Sequence, residues 1–236
     1  MTSSHTSSHL SLLTYNLNSP SHPRDALRHA HVVDMLGTYR SDIILLQGVT
    51  QSVLKLLREA TWVKSNDYSL TDIGGNSFRE RERGEVIMIR GRRFGQARVV
   101  ELRSREGQKA AIVATVVVNG RTIALASVDL EQDQYEKSNG GNSNGNGNGG
   151  NSDNAIESES EREEIRRVRR EQLGVVFGVM RGMKCHDIVL GGSVGSDERF
   201  ASIMRNDLAE ACTYEEGKGG RVGEDKGKGR RVVWYW

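Results

Sequence analysis

The feature that most constrains this chain is a series of short runs rich in Val, Ile and Leu, at 10–15, 43–46, 86–89, 110–118, 122–128, 188–190 and 232–236. Apolar runs this short suit buried strands, whereas a helix shows its period only over ten residues or more. Between the first two runs, 25–39 carries Leu27, Ala30, Val33 and Leu36 at helical steps, with Pro23 where a helix commonly begins. A second helix is predicted over 161–183, where Ile165, Val168, Gln172, Val176, Val179 and Met183 form one stripe opposite a dense Arg/Glu face. Asn119-Gly120, set between the strand-like 116–118 and 121–124, suits the positive φ angles of a type I′ hairpin turn, so the predicted sheet is mixed. Strands alternating with helices place the chain in the α/β class.

Two segments break this pattern. Residues 139–154 are almost wholly Asn, Gly and Ser, a composition that buries too little apolar surface to offset its ordering entropy. A disordered insertion at about 137–158 is therefore expected within one domain spanning 10–236, after a disordered tail at 1–9. The Gly/Lys/Glu-rich stretch 215–228 is expected to be flexible as well. With 236 residues, 36% of them hydrophobic, the chain is long enough to bury a sizeable core. No apolar run approaches the roughly 18 residues that a membrane span needs, and no signal-peptide pattern opens the chain, so a cytoplasmic or nuclear protein without a membrane partner is expected. Cys185 and Cys212 are too few for a disulfide scaffold and read as buried thiols.

The net charge of +2 is modest, but arginines gather at Arg79, Arg81, Arg83 and again at Arg90, Arg92, Arg93. The first cluster is interleaved with Glu80 and Glu82, so a solvated, salt-bridged loop is the first reading and a nucleic-acid-binding patch the second. Among other local motifs, GGSVGSD after a strand has the glycines of an anion cradle without the Lys and spacing of a P-loop. Cys185 and His186 are strand neighbours, which point to opposite faces and do not pair. His29 and His31, two apart on a helix, do not share a metal.

LSLLTYNLNS, the helix at 25–39, and SDIILLQGVT follow one another in an informative order. They resemble the opening of the endonuclease/exonuclease/phosphatase superfamily, in which a strand ending in Trp-Asn or Tyr-Asn precedes a helix and a strand ending in Leu-Gln-Glu. Asn16 matches the Asn, while the family's metal-binding Glu falls on Gly48. RGEVIMIR resembles a strand of the tyrosyl-DNA phosphodiesterase 2 branch, and LASVDLEQ resembles its Ser-His-Leu-Glu segment with Asp129 in place of the His. RREQL is similar to an Arg-x-x-Gln segment through Arg169 and Gln172. DIVLGGSVGSDE has the shape of a strand plus Gly-Asp-x-Asn, with Ser193 at the Asp and Gly195 at the Asn. GRRVVWYW resembles an Arg-Ile-Asp-Tyr-Ile strand with Val233 at the Asp, and the chain stops before a terminal Ser-Asp-His motif, an expectation of C-terminal truncation.

The resemblance implies a two-layered mixed β-sheet sandwich flanked by helices, and an ancestral Mg²⁺ site that cleaves phosphodiesters. Gly48 has no side-chain oxygen for a hard cation, and Asp129, an acceptor-only carboxylate when ionised, does not replace an imidazole as proton donor. The expectation is a catalytically inactive pseudoenzyme serving as a binding or scaffolding domain, without metal or cofactor. One alternative is a divergent Mg²⁺-dependent phosphodiesterase of the DNA-repair type, acting on nucleic acid through Asn16, Asp129 and Asp197. The other is a nucleic-acid-binding module without catalysis.

Overall fold

In the computed structural model, the structure describes residues 10–17, 25–71, 81–105, 107–131, 159–193, 212–217, 220–225 and 230–235, with backbone alone for Asp25, Ala26, Ser193 and the last three segments. The expected tail at 1–9, the Asn/Gly insertion, Arg79, Gly195 and Asp197 lie outside the described residues.

Eleven strands among the described residues form two sheets. One has the order β1-β2-β4-β3, from β1 (Leu12–Asn16), β2 (Ile43–Thr50), β3 (Tyr68–Leu70) and β4 (Arg83–Arg90). The other runs β5-β6-β7-β8-β11-β10-β9, from β5 (Phe94–Leu102), β6 (Lys109–Val118), β7 (Arg121–Asp129), β8 (Asp187–Ser193), β9 (Cys212–Gly217), β10 (Gly220–Asp225) and β11 (Arg230–Tyr235). Both are mixed: β1 pairs parallel with β2 and β7 with β8, while β2/β4, β5/β6 and β6/β7 are antiparallel. Asn119 and Gly120 take φ of 49° and 74° between β6 and β7, the type I′ signature their sequence predicts.

Each sheet contains one strand-helix-strand crossover. α1 (Asp25–Tyr39) links β1 to β2, and α4 (Glu159–Gly182) links β7 to β8. α2 (Gln51–Glu59) follows β2 directly, its first turn capped by the Thr50 hydroxyl, which accepts from the Val53 amide at 3.3 Å; α3 (Thr61–Ser65) follows it. The result is four layers with three apolar interfaces. Val33, Leu36, Val53 and Leu57 cover the outer face of the first sheet at Ile44, Leu46 and Met88. Leu173, Val176, Phe177 and Met180 cover the second at Ala111, Val113 and Ala126. Between the sheets, Ile43, Leu45, Ile87 and Ile89 meet Ile112, Ala114, Val116, Ile123 and Leu125. At roughly 25 cal/mol per Å² of apolar area, this double-sided burial is what makes the strand runs nearly continuous in Val, Ile and Leu.

Two expectations are corrected, and one strand is new. Leu27 is 77% exposed, because α1 docks on the sheet only from Val32 onward, through Val32, Val33 and Leu36. The stretch 215–228 is not a flexible segment throughout: its residues supply most of β9 and β10, held by the backbone ladder to each other and to β11. Gly-rich and charged residues serve there because ladder hydrogen bonds need no side chain. β5 carries no apolar run; it is an edge strand whose residues 95–99 are exposed, so nothing selects for burial. Cys185 is a buried thiol whose Sγ donates to the Met180 carbonyl at 3.6 Å, and no described helix is long and apolar enough to cross a membrane.

Candidate functional site

The two crossovers aim the carboxyl ends of β1, β2, β7 and β8 at the same end of the sandwich, the place where open α/β sheets collect ligand-binding residues. Strand alternation shows how the inter-sheet layer changes there. On β2, Ile43 and Leu45 face the other sheet, and the next residue on that face is Gln47; on β4, Ile89 and Ile87 lead to Glu85; on β7, Ile123 and Leu125 lead to Ser127 and Asp129. The core thus closes on a polar layer. Gln47 Nε2 donates to Ser127 Oγ at 2.8 Å and to Thr14 Oγ1 at 3.3 Å, and Ser127 Oγ donates to the Leu46 carbonyl at 3.0 Å, tying β2 to the facing strand.

The residues singled out by sequence fall around this layer. Asn16 is the register partner of Gln47, and Asp129 the partner of Ser193. Gly48 is buried in a bulge of β2, where the register slips between Leu46 and Val49, with φ of 64°. That left-handed geometry costs an ordinary L-residue about 1–2 kcal/mol, so glycine here serves the backbone as well as lacking a carboxylate. Val233 pairs with Val189 inside the sheet, away from the carboxyl end of β8.

Gly191 and Gly192 belong to the β8 ladder, opposite Ser127 and Val128, while 194–197 of the GGSVGSD motif lie outside the described residues. A Cβ on Gly191 would stand 2.6 Å from Leu45 Cδ1, so this glycine permits the close approach of the sheets. On Gly192, at φ of 146°, it would stand 1.9 Å from the Val128 carbonyl oxygen.

Arg169 and Gln172 converge on the end of β7. Both are essentially fully buried. Arg169 Nε donates to the Glu131 carbonyl, Gln172 Oε1 accepts from the Glu131 amide at 2.9 Å, and Gln172 Nε2 donates to the Arg103 carbonyl at 2.6 Å. Glu131, itself 3% exposed, accepts from Ser104 Oγ at 2.8 Å. Both α4 residues are therefore positioning residues: they clamp the strand end two residues beyond Asp129.

Sequence reasoning missed Glu85, Lys109 and Gln47. Glu85 is 7% exposed, and burial first, then the negative charge of Asp129, push its carboxyl up to about 8, against the opposing pull of Arg81 and Lys109. Lys109 donates to the Leu130 carbonyl at 2.7 Å and lies 3.8 Å from Asp129 Oδ2. The available signal was a lone Glu in RGEVIMIR, sharing alternation with Ile87 and Ile89.

The arginine clusters stand at the two ends of β4. Arg83 pairs in register with Thr50 at the polar end. Arg90 is seven residues on, roughly 24 Å along a strand, and donates to Asp42 Oδ1 at 2.7 Å. Arg93 donates to Ser69 Oγ at 2.6 Å and Asp67 Oδ1 at 3.0 Å, and Arg92 lies between them in sequence. Of the six arginines named from the sequence, the five among the described residues do not make one continuous patch. Cys185 and His186 stand just before β8 rather than within it; His186 Nδ1 accepts from the Thr122 amide at 2.9 Å, while Cys185 is buried.

Mg²⁺ demands near-octahedral oxygen ligation. Gly48 offers no ligand and the Lys109 ammonium lies 3.8 Å from Asp129 Oδ2, so these two positions do not fit that ion. Among the described residues, no three His, Cys, Asp or Glu side chains converge as a metal centre would require.

Comparison with known proteins agrees with this architecture. The structure of TDP2 from C. elegans superimposes with a TM-score of 0.58 at 13% identity, covering 90% of this chain and 52% of that one, so the chain spans about half the length of that relative. D. rerio TDP2 complexed with a single-strand DNA product gives 0.56 at 15% identity, covering 87% and 73%. ANGEL2, a 2′,3′-cyclic phosphatase in complex with adenosine-2′,3′-vanadate, gives 0.55 at 14%, covering 89% and 60%. No curated protein sequence matches. Identities this low speak for the fold alone, whereas the family model for the Endonuclease/Exonuclease/phosphatase family matches residues 13–176, more than half of the sequence. The chain belongs to the endonuclease/exonuclease/phosphatase family.

Proposed function

We propose that this chain is a catalytically inactive member of its family, acting as a binding domain. The observation that carries the reading is Gly48: at the position of the family's metal-binding Glu, the backbone takes a left-handed bulge that disfavours a Glu and holds a residue with no side-chain oxygen. The Asp129 carboxylate, at the position of the family's His, is engaged by Lys109 at 3.8 Å. Removing one positioned electrostatic or acid/base group commonly costs a factor of about a hundred or more. Several such losses together leave turnover near background, although they do not multiply independently. The test is hydrolysis of a 5′-tyrosyl oligonucleotide, an abasic duplex and adenosine 2′,3′-cyclic phosphate with Mg²⁺ or Mn²⁺. No protein-dependent turnover is expected. Turnover that disappears in Asp129→Ala would instead establish the divergent phosphodiesterase.

A ligand for the binding role is suggested by Arg81 and Arg83, which stand at the polar end of the sandwich where β4 begins, and by the D. rerio neighbour's single-strand DNA product. Under this reading the domain retains nucleic acid through phosphate contacts, with affinity that falls steeply with salt. Arg83→Glu is expected to weaken retention of a single-stranded oligonucleotide several-fold at low salt. Unchanged retention removes nucleic acid as the ligand of this end.

A further inference from the structure

At the polar end of the sandwich, Gln47 Oε1 and the Nε and Nη1 of Arg81 are buried without a hydrogen-bond partner, and the amide oxygen is the acceptor among them. Gln47 is 1% exposed, and its Nε2 is fully used by Ser127 and Thr14, yet Oε1 is buried without a partner. An amide oxygen is an acceptor only, and leaving it unmet in the interior is unfavourable. What lies on its open side follows from the sheet. In the order β1-β2-β4, Thr14 is on one flank of Gln47 and β4 on the other. Nε2 is committed to Thr14 and the facing strand, which leaves the β4 flank as the side from which a donor can reach Oε1.

The residue of β4 at that place is Glu85. Leu45 pairs with Ile87 and Leu46 with Val86, and pairing resumes at Val49 with Gly84, so the bulged pair Gln47 and Gly48 lies opposite Glu85 alone. Leu45 and Ile87 both face the opposite sheet; Gln47 and Glu85 are the next residues on that same face. A buried carboxyl beside an orphaned acceptor satisfies it in one protonation state only. An ionised carboxylate accepts and repels, whereas a neutral carboxylic acid has an O–H to donate.

We propose that Glu85 holds a proton and donates it to Gln47 Oε1, forming a proton-dependent latch between β2 and β4 at the polar end of the sandwich. The charged groups surrounding Glu85 are Asp129 from β7, Lys109 from β6 and Arg81 from the segment before β4. Burial and then Asp129 favour the protonated form, while Arg81 and Lys109 oppose it, and the net result places the carboxyl at about 8. Lys109 and Arg81 together match the charge of Asp129 and an ionised Glu85, so it is burial and the missing donor at Gln47 Oε1, not net charge, that call for the proton. Above that pH the carboxylate faces Oε1 as a second acceptor, and the latch opens. Because the folded-state value is raised above the ordinary 4.5, the contribution to stability is complete below about 4.5 and is lost as pH rises through about 8.

The test uses the full chain with ¹³C-labelled Glu and Gln side chains, titrated by NMR between pH 4 and 10, with Glu85→Gln to assign the resonance. One Glu Cδ is expected to titrate near 8 and to vanish in Glu85→Gln, with Gln47 Cδ shifting at the same midpoint in the wild type and not titrating in the variant. Asp129→Asn is expected to move that midpoint down, because it removes the like charge. In parallel, the folding equilibrium constant of the wild type should fall about tenfold per pH unit between 4.5 and about 8, a dependence Glu85→Gln removes while its amide N–H keeps donating to Gln47. A Glu85 resonance titrating in the ordinary carboxylate range overturns the proposal. So does a Gln47 resonance that is indifferent to Glu85 and changes only in Arg81→Ala, which would make the guanidinium the missing donor.

Discussion

Replacing Gly48 separates two meanings of a missing carboxylate: a ligand lost from an otherwise receptive position, or a backbone that no longer admits one. At φ of 64° a β-carbon costs about 1–2 kcal/mol. An alanine also restricts the unfolded chain, returning about 0.4–1 kcal/mol. Gly48→Ala is therefore expected to destabilise by about 1 kcal/mol, and Gly48→Asn by less, since Asn tolerates left-handed geometry. Gly48→Glu carries the same backbone cost and adds a buried carboxylate beside Glu85, on a strand facing Asp129, for a total of several kcal/mol. Urea unfolding at pH 7 measures this order directly, provided the slope m is the same for all four proteins, so that midpoints compare. If Gly48→Ala matches or exceeds the wild type, the bulge imposes no left-handed requirement. If Gly48→Glu is as stable as Gly48→Asn, the position remains receptive to a carboxylate and the reasoning fails.

Three further perturbations probe the frame around the site. A Cβ at Gly37 would stand 2.7 Å from Trp62 Cδ1, whereas Gly174 and Gly178 on α4 have nothing within 4 Å; Gly37→Ala should lose about 1–3 kcal/mol and shift Trp62 fluorescence, while Gly174→Ala and Gly178→Ala should each gain about 0.5–1 kcal/mol in thermal unfolding. Arg169→Ala should cost about 3 kcal/mol or more and Gln172→Ala about 1–3 kcal/mol, with the double variant losing less than the sum because both act on Glu131. Asp42 is subject to burial, which raises its pKa, but the Ser11 hydroxyl, the Ser11 amide and Arg90 together hold it below the usual 3.8. Its contribution is present above 3.8 and lost as pH falls through the lower folded value, so acid unfolding of the wild type should steepen there relative to Asp42→Asn.

Much of the fold was legible because burial on both faces writes itself as uninterrupted aliphatic runs, as at β2 and β6. Asn119-Gly120 announced its turn through conformational freedom alone. β5 was illegible for the opposite reason, since an edge strand exposing 95–99 obeys no burial pattern, and β9 and β10 are strands by virtue of ladder partners far along the chain. Leu27 shows that helical spacing fixes a face but not how much of that face docks. At the site, Asn16, Asp129, Arg169 and Gln172 were found through resemblance, and the structure gives the last two a clamp role on the Glu131 backbone. Glu85 escaped because a single acid in an apolar strand has no motif. Its neighbours Gln47, Lys109 and Asp129 come from three other strands, and only the stacked sheets assemble them.

The most direct test of an end closed by Lys109 and a protonated Glu85, with no place for Mg²⁺, is Mn²⁺ binding to the full chain at pH 7, followed by the loss of free Mn²⁺ signal in electron paramagnetic resonance. The account predicts no saturable site below millimolar Mn²⁺, with wild type, Asp129→Asn and Glu85→Gln indistinguishable. One equivalent of tightly held Mn²⁺ that both substitutions abolish would contradict it.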